Sequence, residues 1–225
     1  MPRDVIFIIV SYLIGAFPHL YLLGRAKGLR LEGDLHMALW RQGGRPLGTL
    51  GFLLELAKGI LVVLAGRALG FETPIVAFGG LAVVLGQMWP VFYHFDGEKG
   101  NSVGAAVALA LTPVPFLIAF VFMLTGYLMR TLPRFLERGV SVNEKLKLGG
   151  PPSLSFPLGM AAGFLVLPVA AWLLGEPPAV VTVYALLFFF IMLRRITAGI
   201  TADIKAGKPS GPVIINRLLF DRPDI

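Results

Sequence analysis

Residues 86–104 read Gly-Gln-Met-Trp-Pro-Val-Phe-Tyr-His-Phe-Asp-Gly-Glu-Lys-Gly-Asn-Ser-Val-Gly. This stretch ends an apolar segment at a proline and places Lys99 between glycines just before the next apolar segment. The glycines leave backbone N–H groups accessible, Asn101 or Ser102 is a candidate N-cap of the following helix, and a helix N-terminus favours an anion. The spacing does not fit a nucleotide-binding P-loop. The stretch therefore indicates a phosphate-binding loop at a membrane surface, with a plain polar turn between two helices as the alternative.

The composition places the chain in a lipid bilayer. Hydrophobic residues make up 56% of the 225 residues, charged residues only 15%, and the mean hydropathy is +0.78, which excludes an ordinary soluble domain. We predict an all-α integral membrane protein, one multi-pass domain over residues 1–225, with about seven transmembrane helices and six as the alternative. A spanning helix needs about 20 mostly apolar residues. The candidate segments are Val5–Leu23, Leu47–Leu69, Thr73–Phe92, Pro113–Met129, Phe156–Leu174, Ala179–Leu193 and a shorter one, Val103–Thr112, which is either a half-helix or a short tilted span.

Lysines and arginines fall in every second connection between these segments. The intervening connections, residues 70–72, 112–115 and 175–178, contain neither residue type. The positive-inside rule then predicts an N-terminus outside and a C-terminus in the cytoplasm. Topology and lipid headgroups explain the formal charge of +7, so nucleic acid is not predicted as a partner. The predicted cytoplasmic parts are the loops at about 24–46, 93–102 and 130–155, the last of them suited to a short amphipathic piece or a solvated connector, and the tail 194–225.

The chemistry of the chain must use oxygen and nitrogen. There is no cysteine, so thiol nucleophiles, disulfides and sulfur-ligated metals are excluded. Three histidines without a carboxylate at ligand spacing predict no metal site. Of these, His19 and His94 are interpreted as packing or interfacial residues.

Two charged residues, Glu55 and Lys58, lie well inside the second apolar segment. An ionised lysine at the centre of a bilayer costs about 2.5–3.5 kcal/mol on insertion scales, so its presence needs a reason. At a spacing of three, the two side chains share a helix face. They form either a mutually neutralising structural pair or one wall of a polar cavity that opens to the cytoplasm.

Together, these motifs resemble the bacterial integral-membrane glycerol-3-phosphate acyltransferases of the PlsY type. The match is strongest in residues 86–100, where the family typically reads Gly-His, an aromatic residue, Pro-Val-Phe and then Phe-x-Gly-Gly-Lys-Gly. In this chain Gln87 replaces the family histidine and Glu98 replaces the second glycine. Residues 31–38 replace a Gly-Ser-Asn-rich first loop. Further support comes from Phe17-Pro18 with Arg25, from Glu55-Leu-Ala-Lys-Gly59, from Ser153-Leu-Ser155 and from Arg194-Arg195.

The resemblance implies that a fatty acyl group passes from acyl phosphate to the 1-hydroxyl of glycerol 3-phosphate and gives lysophosphatidic acid. The reaction takes place at the cytoplasmic face of the bacterial plasma membrane and needs no cofactor. His36, together with Asp34, is a candidate base or phosphate ligand from its position alone. The other implied residues are Lys99 with the backbone of Gly97, Gly100, Asn101 and Ser102 for one phosphate, Arg41 and Arg45 for another, and Arg194 or Arg195 to close the site.

Two other functions remain open from the sequence. The replaced family residues suggest a catalytically silent relative that binds lipid or phosphate. The intramembrane Glu55 and Lys58 suggest a small transporter for an anionic solute, although no inverted repeat is visible. The sequence does not indicate an oligomeric state.

Overall fold

All of the regular structure in the described part of the chain is helical. The structure is a computed structural model, and it describes residues 2–31, 35–136, 139 and 154–222. The predicted all-α class is therefore confirmed. In chain order the helices are α1 (Pro2–Ala16), α2 (His19–Ala26), α3 (Leu35–Ala68), α4 (Thr73–Met88) with a 3₁₀ turn after it (Val91–Tyr93), α5 (Asn101–Leu111), α6 (Pro113–Leu136), α7 (Ser155–Leu173), α8 (Pro178–Thr197), α9 (Ile200–Lys205) and α10 (Ser210–Phe220).

Among the described residues, six helical segments are long and apolar enough to cross a membrane, and the chain is a multi-pass membrane protein. The seventh predicted segment is α5, a helix of 11 residues. At 1.5 Å per residue it is about 17 Å long, which is little more than half of a hydrocarbon core of about 30 Å. Seven crossings and the orientation of the termini therefore stay predictions. The six segments are Pro2–Ala26, Leu35–Ala68, Thr73–Tyr93, Pro113–Leu136, Ser155–Leu173 and Pro178–Lys205.

Helix α4 is the most buried of the long helices and organises the bundle. Helix α5 runs antiparallel beside it, because Gly100 lies against Met88 at one end and Val107 lies against Gly80 further along. Helix α8 runs parallel to α4, and its Phe190 ring packs on Trp89 with the centroids 6.1 Å apart. As a result, α4 and α8 end where α5 begins.

We call this end of the bundle the loop end. Helix α1 also finishes there, since the Tyr12 hydroxyl donates to the Trp89 carbonyl at 2.6 Å. At the opposite end, Arg67 donates to the Ala110 and Leu111 carbonyls at 3.0 and 2.6 Å. Helix α5 therefore leads the chain away from the loop end.

The first predicted segment, Val5–Leu23, is broken into α1 and α2 at Phe17-Pro18. Proline has no N–H group, and it disfavours a helical conformation in the residue before it. The break leaves backbone carbonyls of the last turn of α1 without helical partners. Lys58 on α3 accordingly donates to the Gly15 and Phe17 carbonyls, both at 2.8 Å.

Helix α3 starts inside the predicted first cytoplasmic loop. Its first part begins at Leu35 and is interrupted at Gly44, whose φ of 77° and ψ of 179° are non-helical. Leu39 in this part is fully buried and packs with Leu20 and Leu31. This small hydrophobic cluster therefore holds the first part of α3 against α2 and the connection between the two helices. The periodicity of hydrophobic residues alone does not predict that contact.

The C-terminal tail folds back onto the bundle as α9 and α10. Asp203 on α9 accepts hydrogen bonds from the Arg217 guanidinium on α10 and pairs with Lys208 at 3.2 Å. Arg217 also donates to the Ala198 carbonyl. These contacts fix the direction of α10 and bring its C-terminal end to the loop end. In the predicted loop 130–155, α6 extends to Leu136, and most of the candidate amphipathic piece lies outside the described residues.

Candidate active site

The loop between α4 and α5 folds back onto the end of α4. We call residues 96–102 the glycine-lysine loop. The Gly97 N–H donates to the Met88 carbonyl and the Glu98 N–H to the Gln87 carbonyl, both at 3.1 Å, which satisfies carbonyls at the end of the helix. A Cβ atom at position 97 would lie 2.2 Å from the Gln87 oxygen, so only glycine fits there. The loop is thus held in one conformation by backbone contacts.

The loop leads directly into the N-terminus of α5. The N-cap is Gly100, with φ 73° in the left-handed region, and no side chain caps the helix. The prediction that Asn101 or Ser102 is the N-cap is therefore wrong, because the turn needs a positive φ that glycine adopts without strain. Asn101 and Ser102 are instead the first two helical residues, both partly exposed. The unpaired N–H groups and partial positive charge of this N-terminus lie beside Lys99.

Lys99 forms an ion pair with a residue from the other end of the sequence. Its Nζ lies 2.9 Å from Oδ2 of Asp221, which follows α10, and the two side chains are 29% and 16% exposed. A carboxylate from the tail therefore lies against the cation that was predicted to bind phosphate.

The two adjacent arginines of α8 have separate roles. The guanidinium of Arg194 contacts Asp96 Oδ1 at 2.5 Å and the Gly97 carbonyl at 2.6 Å, so this side chain holds the glycine-lysine loop. Arg195 is almost fully buried and donates to the Pro157 carbonyl at 3.0 Å, which joins α8 to the start of α7. Of the two, Arg194 is the one that reaches the loop.

The candidates in the first cytoplasmic part lie on α3. Arg41 and Arg45 are exposed on either side of the interruption at Gly44. His36 packs edge-on against Phe52, with ring centroids 5.9 Å apart. Its suggested companion Asp34 lies outside the described residues.

Glu98 connects the start of α3 to the glycine-lysine loop. Its Oε1 accepts a hydrogen bond from the Leu35 N–H at 3.0 Å. An acidic group at a helix N-terminus is favourable. The residue that replaces the family's second glycine thus has a structural role here.

The intramembrane charges Glu55 and Lys58 are bridged by Gln87 on α4. Lys58 Nζ donates to Gln87 Oε1 at 2.8 Å, and Gln87 Nε2 lies 3.3 Å from Glu55 Oε1. Lys58 also binds the two carbonyls at the α1–α2 break, which accounts for all three of its N–H donors. This arrangement favours the structural alternative for the pair.

A small pocket adjoins the glycine-lysine loop. The α1–α2 break, the end of α4 and the loop itself form its walls, and its polar lining residues are His19, Tyr21, Gln87, Tyr93 and Glu98. Within the described part of the chain, Lys99, Arg194, Arg41 and Arg45 do not line it. The structure therefore places Lys99 and Arg194 together at the glycine-lysine loop. The two arginines of α3, Arg41 and Arg45, line neither this loop nor the pocket beside it.

Comparisons with known proteins agree with this architecture. Residues 5–202 match the family model described as glycerol-3-phosphate acyltransferase. The chain belongs to this family. It is 30% identical to glycerol-3-phosphate acyltransferase 4 of Dehalococcoides mccartyi strain CBDB1, over 98% of this chain and 90% of that protein. It is also 30% identical to the glycerol-3-phosphate acyltransferase of Pseudomonas fluorescens strain Pf0-1, over 89% of this chain and 95% of that one.

Solved structures of a relative share the fold. The crystal structure of PlsY, an integral membrane glycerol 3-phosphate acyltransferase, in its lysophosphatidic acid form superposes with a TM-score of 0.68 at 22% identity, over 91% of this chain and 93% of that one. Its glycerol 3-phosphate form gives a TM-score of 0.67 at 23% identity. The predicted resemblance to the PlsY type is confirmed.

Several residues at or beside the glycine-lysine loop were not predicted from the sequence. Asp96 and Asp221 were not singled out, although each is in contact with a predicted phosphate-binding cation. His19, interpreted as a packing or interfacial residue, is buried and also lines the pocket. The signal in the sequence that could have drawn attention to this pocket was the position of His19 directly after Phe17-Pro18. A helix break inside a membrane leaves backbone polar groups without helical partners.

Proposed function

We propose that this chain transfers a fatty acyl group from acyl phosphate to glycerol 3-phosphate, forming lysophosphatidic acid for phospholipid synthesis. The observation that carries the proposal is that the glycine-lysine loop places Lys99 beside the N-terminus of α5, while Arg194 binds the Gly97 carbonyl of the same loop. Both substrates carry phosphate, and a cation beside exposed backbone N–H groups is the chemistry that binds it. Family membership supports the same reaction.

The chemistry needs little from the protein beyond positioning and charge stabilisation. Acyl phosphate is a mixed anhydride, so its acyl carbon is already activated and phosphate is a good leaving group. Lys99 and the α5 N-terminus would stabilise the charge that develops on the departing phosphate. Neither a covalent intermediate nor a cofactor is required.

The arginines divide between shaping the loop and binding anions. Arg194 is buried and already bound to the Gly97 carbonyl, so we assign it the task of holding the loop. Its partner Asp96 is 75% exposed and is free to swing into solvent when an anion arrives. Arg41 and Arg45 are exposed on α3 and suit a second phosphate, because a guanidinium fork pairs with phosphate oxygens.

We place the site on the cytoplasmic side of the bacterial plasma membrane. Asp221 of the basic tail pairs with Lys99, so this part of the tail lies at the loop end, and Arg25 and Lys27 lie at the end of α2, which follows the α1–α2 break. The distribution of basic residues supports this orientation through the positive-inside rule.

The structure bears differently on the two alternative functions, a small transporter and a catalytically silent relative. The transporter interpretation rested on Glu55 and Lys58, whose engagement with Gln87 and the α1–α2 break gives them a structural explanation. A catalytically silent relative would bind phosphate without turnover, and the pairing of Lys99 with Asp221 is compatible with that function.

The test is acyl transfer by the purified protein in lipid nanodiscs. Acyl phosphate and glycerol 3-phosphate are supplied, and both inorganic phosphate and lysophosphatidate are measured. Lys99→Ala should lower kcat/KM by about 100-fold or more, as expected for loss of a group that stabilises transition-state charge. The matched control, Lys205→Ala, removes an exposed lysine from α9 and should leave the rate unchanged. A folded wild-type protein that binds phosphate but forms no lysophosphatidate would establish the silent relative instead.

A further inference from the structure

The tail helix α10 turns an apolar face away from the bundle. Its inner side carries Val213 and the one charged residue of the helix, Arg217, and both are buried. The outer side exposes 57% of Ile215 and 39% of Leu219, and the exposed Pro212 lies on the same side, because residues at i, i+3 and i+7 share a helix face. A helix in water normally places charged or polar side chains on its outer face. The outer face of α10 is therefore suited to a hydrophobic environment.

The bilayer is the hydrophobic phase nearest to this face. Helix α10 packs on α7 and α8, and both belong to segments that are long and apolar enough to cross the membrane. At the start of α7, Leu154 and Leu158 are also exposed, as expected for side chains that face lipid. An amphipathic helix can lie in the membrane interface with its apolar side about 5–10 Å deep, at the boundary between headgroups and acyl chains. A helix that follows the last spanning segment and carries an apolar outer face fits that position.

Polar contacts on the inner side of α10 attach it to the end of α8. Arg217 donates through Nε to Asp203 of α9 at 3.0 Å, and its guanidinium also binds the Ala198 carbonyl directly after α8. These contacts hold the middle of α10 on the protein. Lipid on the outer face would then hold the same helix from the opposite side.

Helix α10 ends at the residue that contacts Lys99. Asp221 is its C-cap, with φ 60° and ψ 29°, and the Asp221 N–H donates to the Arg217 carbonyl at 3.0 Å. Aspartate is one of the few residues besides glycine that adopt this left-handed conformation routinely. The turn places the Asp221 carboxylate 2.9 Å from Lys99 Nζ. The position of α10 therefore decides whether a carboxylate covers the lysine.

We propose that α10 docks on the membrane surface and that the bilayer thereby holds Asp221 against Lys99. The effect on the site rests on the proposed function, in which Lys99 binds phosphate, whereas the docking does not. Phosphate and the carboxylate compete for one ammonium group, so the docked helix raises the phosphate concentration at which the site fills. Helix α10 lies outside residues 5–202, which match the family model, so this restraint is additional to the matched part of the chain.

Spin labelling of the full chain in lipid nanodiscs tests the docking. Nitroxides are attached to Ile215→Cys or Leu219→Cys on the outer face, and to the control Ala206→Cys, an exposed position directly after α9. We expect the first two labels to collide mainly with oxygen, which concentrates in the bilayer, and the control label to collide with a nickel chelate in water. Labels on α10 that collide mainly with the chelate overturn the docking. Dipolar broadening between Ile215→Cys labels in discs with two copies, without an oxygen preference in single-copy discs, would assign this face to a second copy of the chain instead.

Phosphate binding tests the link between the docked helix and the site. The double variant Ile215→Ser/Leu219→Ser weakens the lipid contact and should lower the Kd for inorganic phosphate by up to about fivefold, the change expected from losing a partly exposed ion pair. The same two changes should have no further effect when Asp221→Asn is already present. The matched control is Val114→Ser/Leu117→Ser, which removes two exposed apolar side chains at the opposite end of the bundle. The melting temperature of each variant checks its folding.

The outcomes separate this inference from the proposed function. A Kd for phosphate that stays unchanged in Ile215→Ser/Leu219→Ser overturns the link to the site. A fall in Kd that is equally large when Asp221→Asn is present overturns it as well, because the effect would not pass through the carboxylate. If Lys99→Ala leaves the phosphate affinity of the protein unchanged, the proposed phosphate site itself is wrong, whereas the spin labels still decide the docking.

Discussion

The contact between Lys99 and Asp221 determines how a phosphate can enter the site. The Asp221 carboxylate lies 2.9 Å from the lysine and presents oxygen atoms much as a phosphate would. An anionic substrate therefore has to displace it. A partly exposed ion pair contributes roughly 0.2–1 kcal/mol, so the tail carboxylate competes with substrate only weakly.

We expect Asp221→Asn to bind phosphate more tightly. Loss of the competing negative charge should lower the Kd for inorganic phosphate, and the KM for glycerol 3-phosphate, by up to about fivefold, which corresponds to about 1 kcal/mol. Titration calorimetry and steady-state kinetics measure the two values. Asp4→Asn, at the opposite end of α1, is the control and should change neither. An unchanged phosphate affinity would mean that Lys99 and Asp221 do not compete for one anion site.

At the scale of single residues, the sequence predicted the cations of the glycine-lysine loop but not the carboxylates that pair with them. Lys99 was recognisable because glycines surround it, and Arg194 because it follows the last apolar segment. Asp221 is 122 residues from Lys99, and nothing in its local sequence indicates that α9 and α10 return it to the loop.

At the scale of elements, the α1–α2 break and the centre of α3 stabilise each other. The break frees the Gly15 and Phe17 carbonyls, and Lys58 satisfies both inside the bundle. Gln87 and Glu55 complete the arrangement from α4 and α3. The charged lysine is thus retained in an apolar segment because a neighbouring helix is interrupted beside it.

Replacing the lysine should therefore destabilise the bundle. Lys58→Met leaves the carbonyls and Glu55 buried without their cation, and breaking a buried charge pair typically costs about 3–5 kcal/mol. We expect a clearly lower melting temperature in detergent, and a smaller loss in the double variant Lys58→Met/Glu55→Leu, which leaves no uncompensated charge. Lys27→Met, an exposed lysine, is the control. If Lys58→Met melts at the wild-type temperature, the ammonium does not hold the break.

The elements themselves were largely predictable, and their interruptions were not. Runs of apolar residues predicted α4, α7 and α8 within about four residues at each end, whereas α3 begins well before the predicted segment and α6 ends well after it. The helical start of α3 escaped prediction because its stability comes from Leu39 packing on Leu20 and Leu31, a tertiary contact. Pro18 was visible in the sequence, but the length of the apolar run outweighed it in the prediction of one continuous helix.

At the scale of the whole molecule, the two ends of the bundle differ in chemistry. The loop end carries Lys99, Arg194 and the basic first loop, whereas the connections 70–72 and 175–178 at the other end contain no lysine or arginine. Composition and charge placement predicted this asymmetry. Whether α5 crosses the membrane could not be predicted, because a helix of 11 residues fits both a half-helix and a short span.

Cysteine labelling should establish the topology, since the natural chain has no cysteine and every introduced thiol is unique. With the positive-inside orientation, Glu72→Cys and Glu176→Cys should react with a membrane-impermeant maleimide in intact cells. Lys27→Cys and Lys205→Cys should react only after the membrane is opened. Pro113→Cys, at the exposed start of α6, tests α5. Labelling from outside means that α5 completes a seventh crossing, and no labelling from either side places the junction within the bilayer. Reaction of Lys27→Cys in intact cells would reverse the orientation and remove the active site from the cytoplasm.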